Sequence, residues 1–207
     1  MPTTHLLHSF RLAIATATVV VCFVAPALAA PKASQFGHAT AGAPSLTFLS
    51  KTYKLGSYSQ KANPMWEFAS APETVNKWST LVTVIDRPDA ASMTNLDSLA
   101  EGTLSAFKNS GAKILLAKTM KDAAGKPYNY LVAAIDEPEK HRYELNFLKI
   151  AMGAKNAYIL IYGARITDLV DYKAKAAKYV DNHSREIGMA LDSAAAPNVS
   201  RWPRTTF

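Results

Sequence analysis

The sequence contains little cysteine, and this scarcity excludes several kinds of site. Its one cysteine, Cys22, lies in an N-terminal apolar run that spans residues 12–28 and contains no acidic residue. If that run is removed on export, the remaining chain has no thiol, and therefore no disulfide, no cysteine nucleophile and no cysteine-based metal site. An exported chain without disulfides is typical of the bacterial periplasm or of secretion, rather than of a small disulfide-stapled scaffold.

Residues 1–29 have the features of a secretory signal peptide. Arg11 precedes the apolar run, and residues 27–29 read Ala-Leu-Ala, a small-x-small pattern at which signal peptides are cleaved. The alternative is an uncleaved membrane anchor, because the run is about as long as a short spanning helix. Pro26 and the small residues at the end of the run favour cleavage. We therefore expect a periplasmic or secreted protein that has no stable membrane span once the signal peptide is removed.

Motifs of several enzyme classes are also missing. The sequence has no G-x-S-x-G nucleophile elbow, no G-K-[ST] phosphate loop and no G-x-G-x-x-G dinucleotide fingerprint. Outside the predicted signal peptide, histidine occurs at His38, His141 and His183, far apart in sequence, and this spacing does not fit a zinc site. We therefore expect no metal and no cofactor.

The charge of the chain is positive but dispersed. The formal net charge is +7, and it falls by one, to +6, when Arg11 leaves with the predicted signal peptide. Lysine and arginine alternate with aspartate and glutamate in most segments, so the excess forms no basic stripe, and no RNP motif occurs. The charge therefore indicates solubility rather than nucleic-acid binding, although positive charge also favours anionic partners and membrane surfaces.

The chain after the predicted signal peptide is long enough for one domain with a core. Residues 30–45 are rich in alanine, glycine, serine and proline and predict a flexible leader. Residues 46–192 carry the periodic hydrophobic pattern of a folded α+β domain. Residues 193–207 have little pattern and predict a C-terminal tail that is either mobile or laid across the surface.

Two hydrophobic periods alternate within residues 46–192. A period of two predicts strands, and apolar residues three and four apart predict helices. One helix is predicted after a cap at Thr94 or Asn95, and another from about Thr167 to Asp192. The short turns between strands favour antiparallel pairing, so we expect a single α+β domain with an antiparallel sheet of about six to seven strands flanked by two main helices. The predicted strands lie at residues 46–56, 58–71, 79–86, 113–120, 127–136, 142–152 and 157–165.

The order of these elements resembles that of a known family. TLVTVIDRP at residues 80–88 is followed by NLDSLAEGTLSAFKNSG at residues 95–111, and then by the predicted strands of residues 113–165 and the last helix. This succession is similar to that of the PsbP-like domains of exported and thylakoid-lumen proteins, over about residues 46–192. The resemblance implies a non-catalytic accessory protein that docks on a larger assembly, and it assigns no binding residue. NKWSTLVTV, at residues 76–84, also resembles a segment of uncharacterised exported bacterial proteins and implies no activity.

Two histidines are candidates for a site. His141 ends a run, residues 136–141, whose three carboxylates have the groups for cation binding or acid–base work. The alternative is a solvated connection whose charges keep it soluble. His183 shares the apolar stripe of the last predicted helix with Tyr172 and Tyr179, where it is either a base or pH-sensitive contact, or a residue at the edge of the core bonded to backbone or water. For both histidines the structural interpretation is favoured.

Trp66 and Trp78 are candidates for a partner or ligand surface. Together with Trp202 they supply the amphipathic rings that line glycan or lipid grooves. Trp66 and Phe68 are two residues apart and therefore share one face of a predicted strand. Trp78 stands just before the interior strand predicted at residues 79–86, where a structural anchor is the favoured interpretation.

Three functions are compatible with these features. The favoured one is an exported, non-enzymatic accessory protein that binds a partner protein of the bacterial cell envelope. The first alternative is a periplasmic hydrolase in which His141 or His183 acts with nearby carboxylates. The second alternative is a small-ligand or lipid carrier, which predicts a cavity of at least about 300 Å³ lined by apolar side chains.

Overall fold

A computed structural model describes residues 44–60 and 63–204, apart from the side chain of Arg201. The predicted signal peptide and most of the predicted leader lie outside the described residues. The described chain forms eight β-strands, two α-helices and two short 3-10 helices at Pro138–Lys140 and Val199–Arg201. The strands are β1 (Ser45–Phe48), β2 (Lys51–Ser59), β3 (Met65–Ala69), β4 (Thr80–Arg87), β5 (Lys113–Lys121), β6 (Pro127–Glu137), β7 (Arg142–Met152) and β8 (Ala157–Thr167), and the α-helices are α1 (Met93–Asn109) and α2 (Tyr172–Ser193).

The strands form one antiparallel sheet in the order β1-β2-β3-β4-β8-β7-β6-β5. The predicted α+β domain with an antiparallel sheet and two main helices is therefore confirmed. The predicted count of six to seven strands is wrong, because residues 46–56 belong to two strands rather than one. Leu49 and Ser50 join β1 to β2 with φ angles of 49° and 61°, the left-handed pair that a two-residue hairpin turn requires. Neither residue is the glycine or asparagine that would have indicated such a turn.

Helix α1 carries the chain from β4, inside the sheet, to β5 at the far edge. Strands β6 and β7 then return toward the centre, and β8 pairs with both β7 and β4. Strand β4, which the sequence predicts to be interior, and strand β8 therefore lie at the centre of the sheet. The two edges are β1 and β5.

Alternate residues of each strand point to opposite faces of the sheet. Helix α1 packs on one face, the α1 face, where Leu96 and Leu99 meet Leu148 and Ile159. Helix α2 packs on the other, the α2 face, where Ile187 joins an aromatic core. The buried aromatic residues of that core include Tyr53, Tyr58, Trp66, Phe68, Tyr128, Phe147, Tyr158 and Tyr162.

Helix α1 begins earlier than predicted. Its N-cap residue is Ser92 rather than Thr94 or Asn95. At the other end Gly111 has a φ of 83°, the left-handed conformation that commonly follows the last helical turn, and its N–H donates a hydrogen bond of 3.0 Å to the carbonyl of Lys108.

Helix α2 begins later than predicted. Thr167, the predicted start of this helix, is the last residue of β8 and pairs with Arg142 of β7. Asp168 orders the turn that follows, because its Oδ1 accepts hydrogen bonds of 2.9 Å from the backbone N–H groups of Val170 and Asp171. Within the described ranges, no helix has both the length and the apolar character that crossing a bilayer requires.

The segment after α2 packs against the α2 face. Trp202 is 7% exposed, and its ring meets those of Trp66 and Phe68 edge-on at centroid distances of 5.4 and 5.3 Å. The Trp66 indole N–H donates a hydrogen bond of 2.8 Å to the carbonyl of Pro203. The tail is thus laid across the sheet, and Trp202 belongs to the main core.

Candidate functional site

Helix α2 covers part of its face of the sheet. It packs on β7 and β8, so β6 and β5 extend beyond it. A groove of about 530 Å³ lies between α2 and these outer strands, and we call it the α2–β5 groove. Its floor and strand wall are apolar and include Leu115, Leu116, Met120, Tyr130, Val132 and Phe147. Its helix wall includes Val180, Ser184, Arg185, Gly188 and Met189.

A β-bulge in β5 brings an additional apolar side chain to the groove. Ile114 pairs with Ala133 and Leu116 pairs with Val132, so the pairing with β6 passes over Leu115. Ile114 packs against the core under α1, whereas Leu116 lines the groove. In a regular strand two residues two apart point to the same face. The bulge therefore places Leu116 on the α2 face, and with it Lys118 and Met120, which follow at intervals of two.

Much of the exposed apolar surface of the described chain lies in this groove. Leu115, Leu116 and Met189 line it and are 42%, 39% and 43% exposed. These three are half of the six large apolar residues that are exposed in the described chain. Exposed apolar surface gathered in one groove often marks a binding surface, so these side chains make the groove a candidate site.

Polar groups also line the α2–β5 groove. Lys118 lies on the strand wall and Arg185 on the helix wall, and neither forms an ion pair with another described residue. The Tyr130 hydroxyl lies 3.7 Å from the position that a Cβ on Gly188 would take. Burial raises the pKa of Tyr130 to about 12, so this hydroxyl is a neutral donor at ordinary pH. The Oδ1 atom of Asp192, which also lines the groove, is buried and has no hydrogen-bond partner in the described chain.

A loop, residues 70–79, covers part of the α1 face between β3 and β4. Thr74 and Lys77 exchange backbone hydrogen bonds of 3.0 Å and form a tight turn. Trp78 then lies on Gly163 of β8, where an added Cβ would come within 3.1 Å of the indole ring. A glycine inside a strand often marks such a close approach. Trp78 therefore anchors this loop to the sheet.

A smaller cleft of about 300 Å³ lies beside this loop. The Cζ atom of Arg165 lies 3.7 Å from the centroid of the Trp78 ring, and its Nε donates a hydrogen bond of 3.0 Å to Glu144. Burial raises the pKa of Glu67, the other carboxyl group of the cleft. Glu67 and Glu144 lie on β3 and β7, three strand spacings or about 14 Å apart across the sheet. The cleft therefore holds a stacked and paired arginine rather than a pair of catalytic carboxylates.

His141 and His183 lie on different parts of the surface. His141 follows the first 3-10 helix with a φ of 46°, and its ring lies 6.2 Å from that of Tyr172. The side chain of His183 is 45% exposed, and its Nδ1 lies 4.0 Å from Glu186. Tyr172 and His183 are eleven residues apart on α2, which is about 16 Å along the helix axis. The structure therefore does not bring the two imidazoles together.

Two of the three carboxylates that precede His141 are held in separate ion pairs. Asp136 pairs with Lys173 at 2.8 Å, and Glu137 pairs with Lys140 at 2.6 Å. These lysines lower the pKa of both carboxyl groups. Among the residues that the structure describes, no three histidine, cysteine, aspartate or glutamate side chains gather as metal ligands. This arrangement fits a solvated connection better than a cation site.

Sequence reasoning identified none of the groove residues. Of the two tryptophan candidates, Trp66 is fully buried and packs within the core, whereas Trp78 lies at the cleft. The groove arises from the lateral position of α2 on the sheet, which no local pattern specifies. The one local signal is the pair Leu115 and Leu116, because adjacent leucines in an edge strand place apolar side chains in both directions.

No family model matches the chain, and no curated protein matches it. The PsbP-like resemblance therefore stays a prediction from the order of the elements.

Proposed function

We propose that this protein is an exported, non-enzymatic accessory protein that binds a protein partner of the bacterial cell envelope through the α2–β5 groove. The observation that supports this function is the apolar surface of β5 and β6 that α2 leaves uncovered. Leu116 on one wall and Met189 on the other remain exposed. A partner that covers them gains roughly 25 cal/mol for each Å² of apolar surface removed from water. Export and envelope location rest on the features of residues 1–29.

The charge on β5 disfavours a second copy of this chain as the partner. β5 is an edge strand, and it carries Lys113, Lys118 and Lys121. Lysines on an edge strand oppose pairing with the same strand of another copy. Lys118 and Arg185 instead favour a partner with negative charge.

The hydrolase alternative requires a histidine and carboxylates in one concave site. The lining of the groove includes Ser184 and Asp192 but no histidine. His141 and His183 lie elsewhere, and two of the three carboxylates before His141, Asp136 and Glu137, are paired with lysines. The groove therefore supports binding better than hydrolysis.

A small-ligand carrier is a second candidate, and the volume of the groove favours it. The groove measures about 530 Å³, within the range of roughly 300–1,000 Å³ that accommodates small ligands. An amphiphile with an apolar chain and an anionic head would place the chain on the apolar floor and the head beside Lys118 or Arg185. Native mass spectrometry of the protein recovered from its own envelope would detect such a ligand as an added mass.

Leu116→Glu is expected to abolish partner capture and to leave the fold intact. Leu116 is 39% exposed, so a glutamate there stays hydrated in the free protein but is buried without a partner in the complex. We expect recovery of the partner from envelope extract to fall by at least about tenfold. Leu169→Glu is the matched control, because Leu169 is 79% exposed and lies outside the groove. The measurement is affinity capture on the tagged protein with quantitative mass spectrometry.

Equal recovery of the partner by wild type and Leu116→Glu would contradict the proposed function. Loss of the partner with both glutamate variants would contradict it as well, because the effect would then not belong to the groove. Circular dichroism and thermal unfolding establish that the two variants fold alike. An added mass that Leu116→Glu alone loses, without any captured protein, would favour the carrier instead.

A further inference from the structure

The α2–β5 groove lies where one further α-helix would pack beside α2 on the sheet. Neighbouring strands lie about 4.8 Å apart, and packed helices lie about 8–10 Å apart, which corresponds to two strand spacings. Because α2 packs on β8 and β7, a second helix beside it would lie over β6 and β5, where the groove is. Helix α1 packs on the opposite face of β5, β6 and β7. A helix in the groove would therefore cover the α2 face of the outer strands, opposite α1.

The wall that α2 presents to the groove is suited to a close contact with another helix. Ser184 and Gly188 lie one turn apart on this wall, and their small size allows two helix backbones to approach. A Cβ on Gly188 would meet Tyr130 at 3.7 Å, an ordinary contact, so the fold itself does not require glycine there. Glycine inside a helix is also less stable than alanine. Glycine at position 188 therefore leaves room for another helix to approach α2 closely, although alanine would make α2 itself more stable.

Two cations flank the apolar floor of the groove. Lys118 stands on the strand wall and Arg185 on the helix wall. A helix seated between these walls places its apolar face on the floor and directs one flank toward each cation. Resting on the proposed partner-binding function, we infer that the groove binds an amphipathic α-helix of the partner, with acidic residues on both flanks of its apolar face.

A strand added to the open edge of β5 fits these observations less well. Such a strand would lie one spacing beyond β5, away from Arg185 and Met189 on the helix wall. The bulge at Leu115 also interrupts the regular backbone pattern that strand addition needs. A helix, in contrast, contacts the strand wall, the floor and the helix wall together.

A synthetic peptide of about 18 residues, or five helical turns, tests this inference. It carries leucines at spacings of three and four along one face and glutamates on both flanks of that face. Binding to the protein expressed from its full sequence is measured by fluorescence anisotropy. We expect saturable binding with a Kd on the order of 10 μM. The same peptide with lysines in place of the glutamates should bind at least about tenfold more weakly, and a scrambled peptide without an apolar face should show no saturable binding.

Matched variants locate the binding on the protein. The double variant Lys118→Glu with Arg185→Glu should prefer the lysine peptide over the glutamate peptide. Gly188→Ala should lower the affinity for the glutamate peptide by about threefold or more. Gly102→Ala is the control, because Gly102 lies in α1 with no atom near its added Cβ, and it should leave the affinity unchanged. Both alanine variants should raise the melting temperature, so weaker binding by Gly188→Ala cannot result from unfolding.

Several results would overturn the helix as occupant. They are equal binding of the amphipathic and scrambled peptides, a charge preference that the double variant does not invert, and saturable binding of dodecanoate in the groove without binding of the peptide. If the peptide fails to bind but Leu116→Glu still abolishes partner capture, the inference that the groove holds a helix is wrong and the proposed function stands. If capture does not depend on the groove, both are wrong.

Discussion

Trp202→Ala should lower the free energy of unfolding by about 3–5 kcal/mol, the range for removing a large aromatic side chain from a core. Trp202 is 7% exposed, and its ring contacts those of Trp66 and Phe68 edge-on. Its removal leaves a cavity over β3 and loosens the tail, whose Pro203 carbonyl accepts the hydrogen bond of Trp66. Urea unfolding followed by circular dichroism measures this loss as a lower midpoint.

Two variants of the same tail serve as controls for this result. Trp202→Phe keeps an aromatic ring and should lose less stability than Trp202→Ala. Arg204→Ala changes an exposed residue and should alter the free energy of unfolding by less than about 0.5 kcal/mol. A loss below about 1 kcal/mol for Trp202→Ala would mean that the tail lies on the sheet without stabilising it.

Lys149→Met should lower the free energy of unfolding by about 2–4 kcal/mol. Lys149 is 2% exposed, and its Nζ donates hydrogen bonds of 2.9 and 3.0 Å to the carbonyl oxygens of Asp192 and Ala194. The end of a helix leaves carbonyls such as these without helical partners. Methionine keeps the apolar stem but donates no hydrogen bond. Each carbonyl oxygen left without a donor lowers the free energy of unfolding by about 1–3 kcal/mol. Part of the loss is offset because methionine places no charge in the core.

The loss from Lys149→Met should grow with pH. Burial lowers the pKa of Lys149 from its ordinary value of 10.5, and Asp122 and Asp192 oppose part of this shift. Between the folded-state pKa and 10.5 the unfolded chain binds more protons than the folded chain, so the wild type gains stability as the pH rises through that window. Methionine has no proton to release and lacks this gain. Urea unfolding at about pH 7 and about pH 9.5 measures the difference, and Lys118→Met, at an exposed lysine of β5, is the control.

A Lys149→Met loss that shrinks as the pH rises would show that the ammonium group is not disfavoured in the folded protein. Equal losses for Lys149→Met and Lys118→Met would show that the two hydrogen bonds at the end of α2 do not stabilise the fold.

Local hydrophobic pattern was sufficient to predict most of the secondary structure. In the predicted strand at residues 79–86, Leu81 and Ile85 lie on one face and Val82 and Val84 on the other, so both faces carry apolar side chains. A strand of this kind is buried on both sides, and β4 indeed pairs with β3 and β8 in the middle of the sheet. The spacing of Trp66 and Phe68 likewise placed both rings on one face, where both are fully buried.

Two features of the fold could not be predicted in this way. The turn at Leu49 and Ser50 has left-handed backbone angles without a residue type that favours them, so its hairpin looked like one strand. The tail looked irregular because its main contribution is one residue, Trp202, which packs on side chains more than 130 positions earlier, such as Trp66. Contacts over that distance leave no periodic signal in the sequence.

The candidate site was the least predictable part, for a related reason. Composition and motifs drew attention to His141, His183 and the tryptophans, which are conspicuous residue types. The groove is made instead of ordinary residues such as Leu116 and Met189. They form a site because the bulge turns β5 and because α2 lies over β7 and β8. Both causes concern the relative placement of whole elements.

Photo-cross-linking from position 116 tests most directly the central claim that the α2–β5 groove holds a partner protein. p-Benzoylphenylalanine replaces Leu116 in one sample and Leu169 in the control, and both samples are irradiated in intact envelopes. The expected result is an adduct with one protein from position 116 that is absent from position 169, joined through an amphipathic segment with acidic flanks. The same adducts from both positions, or an adduct with lipid alone from position 116, would contradict the claim.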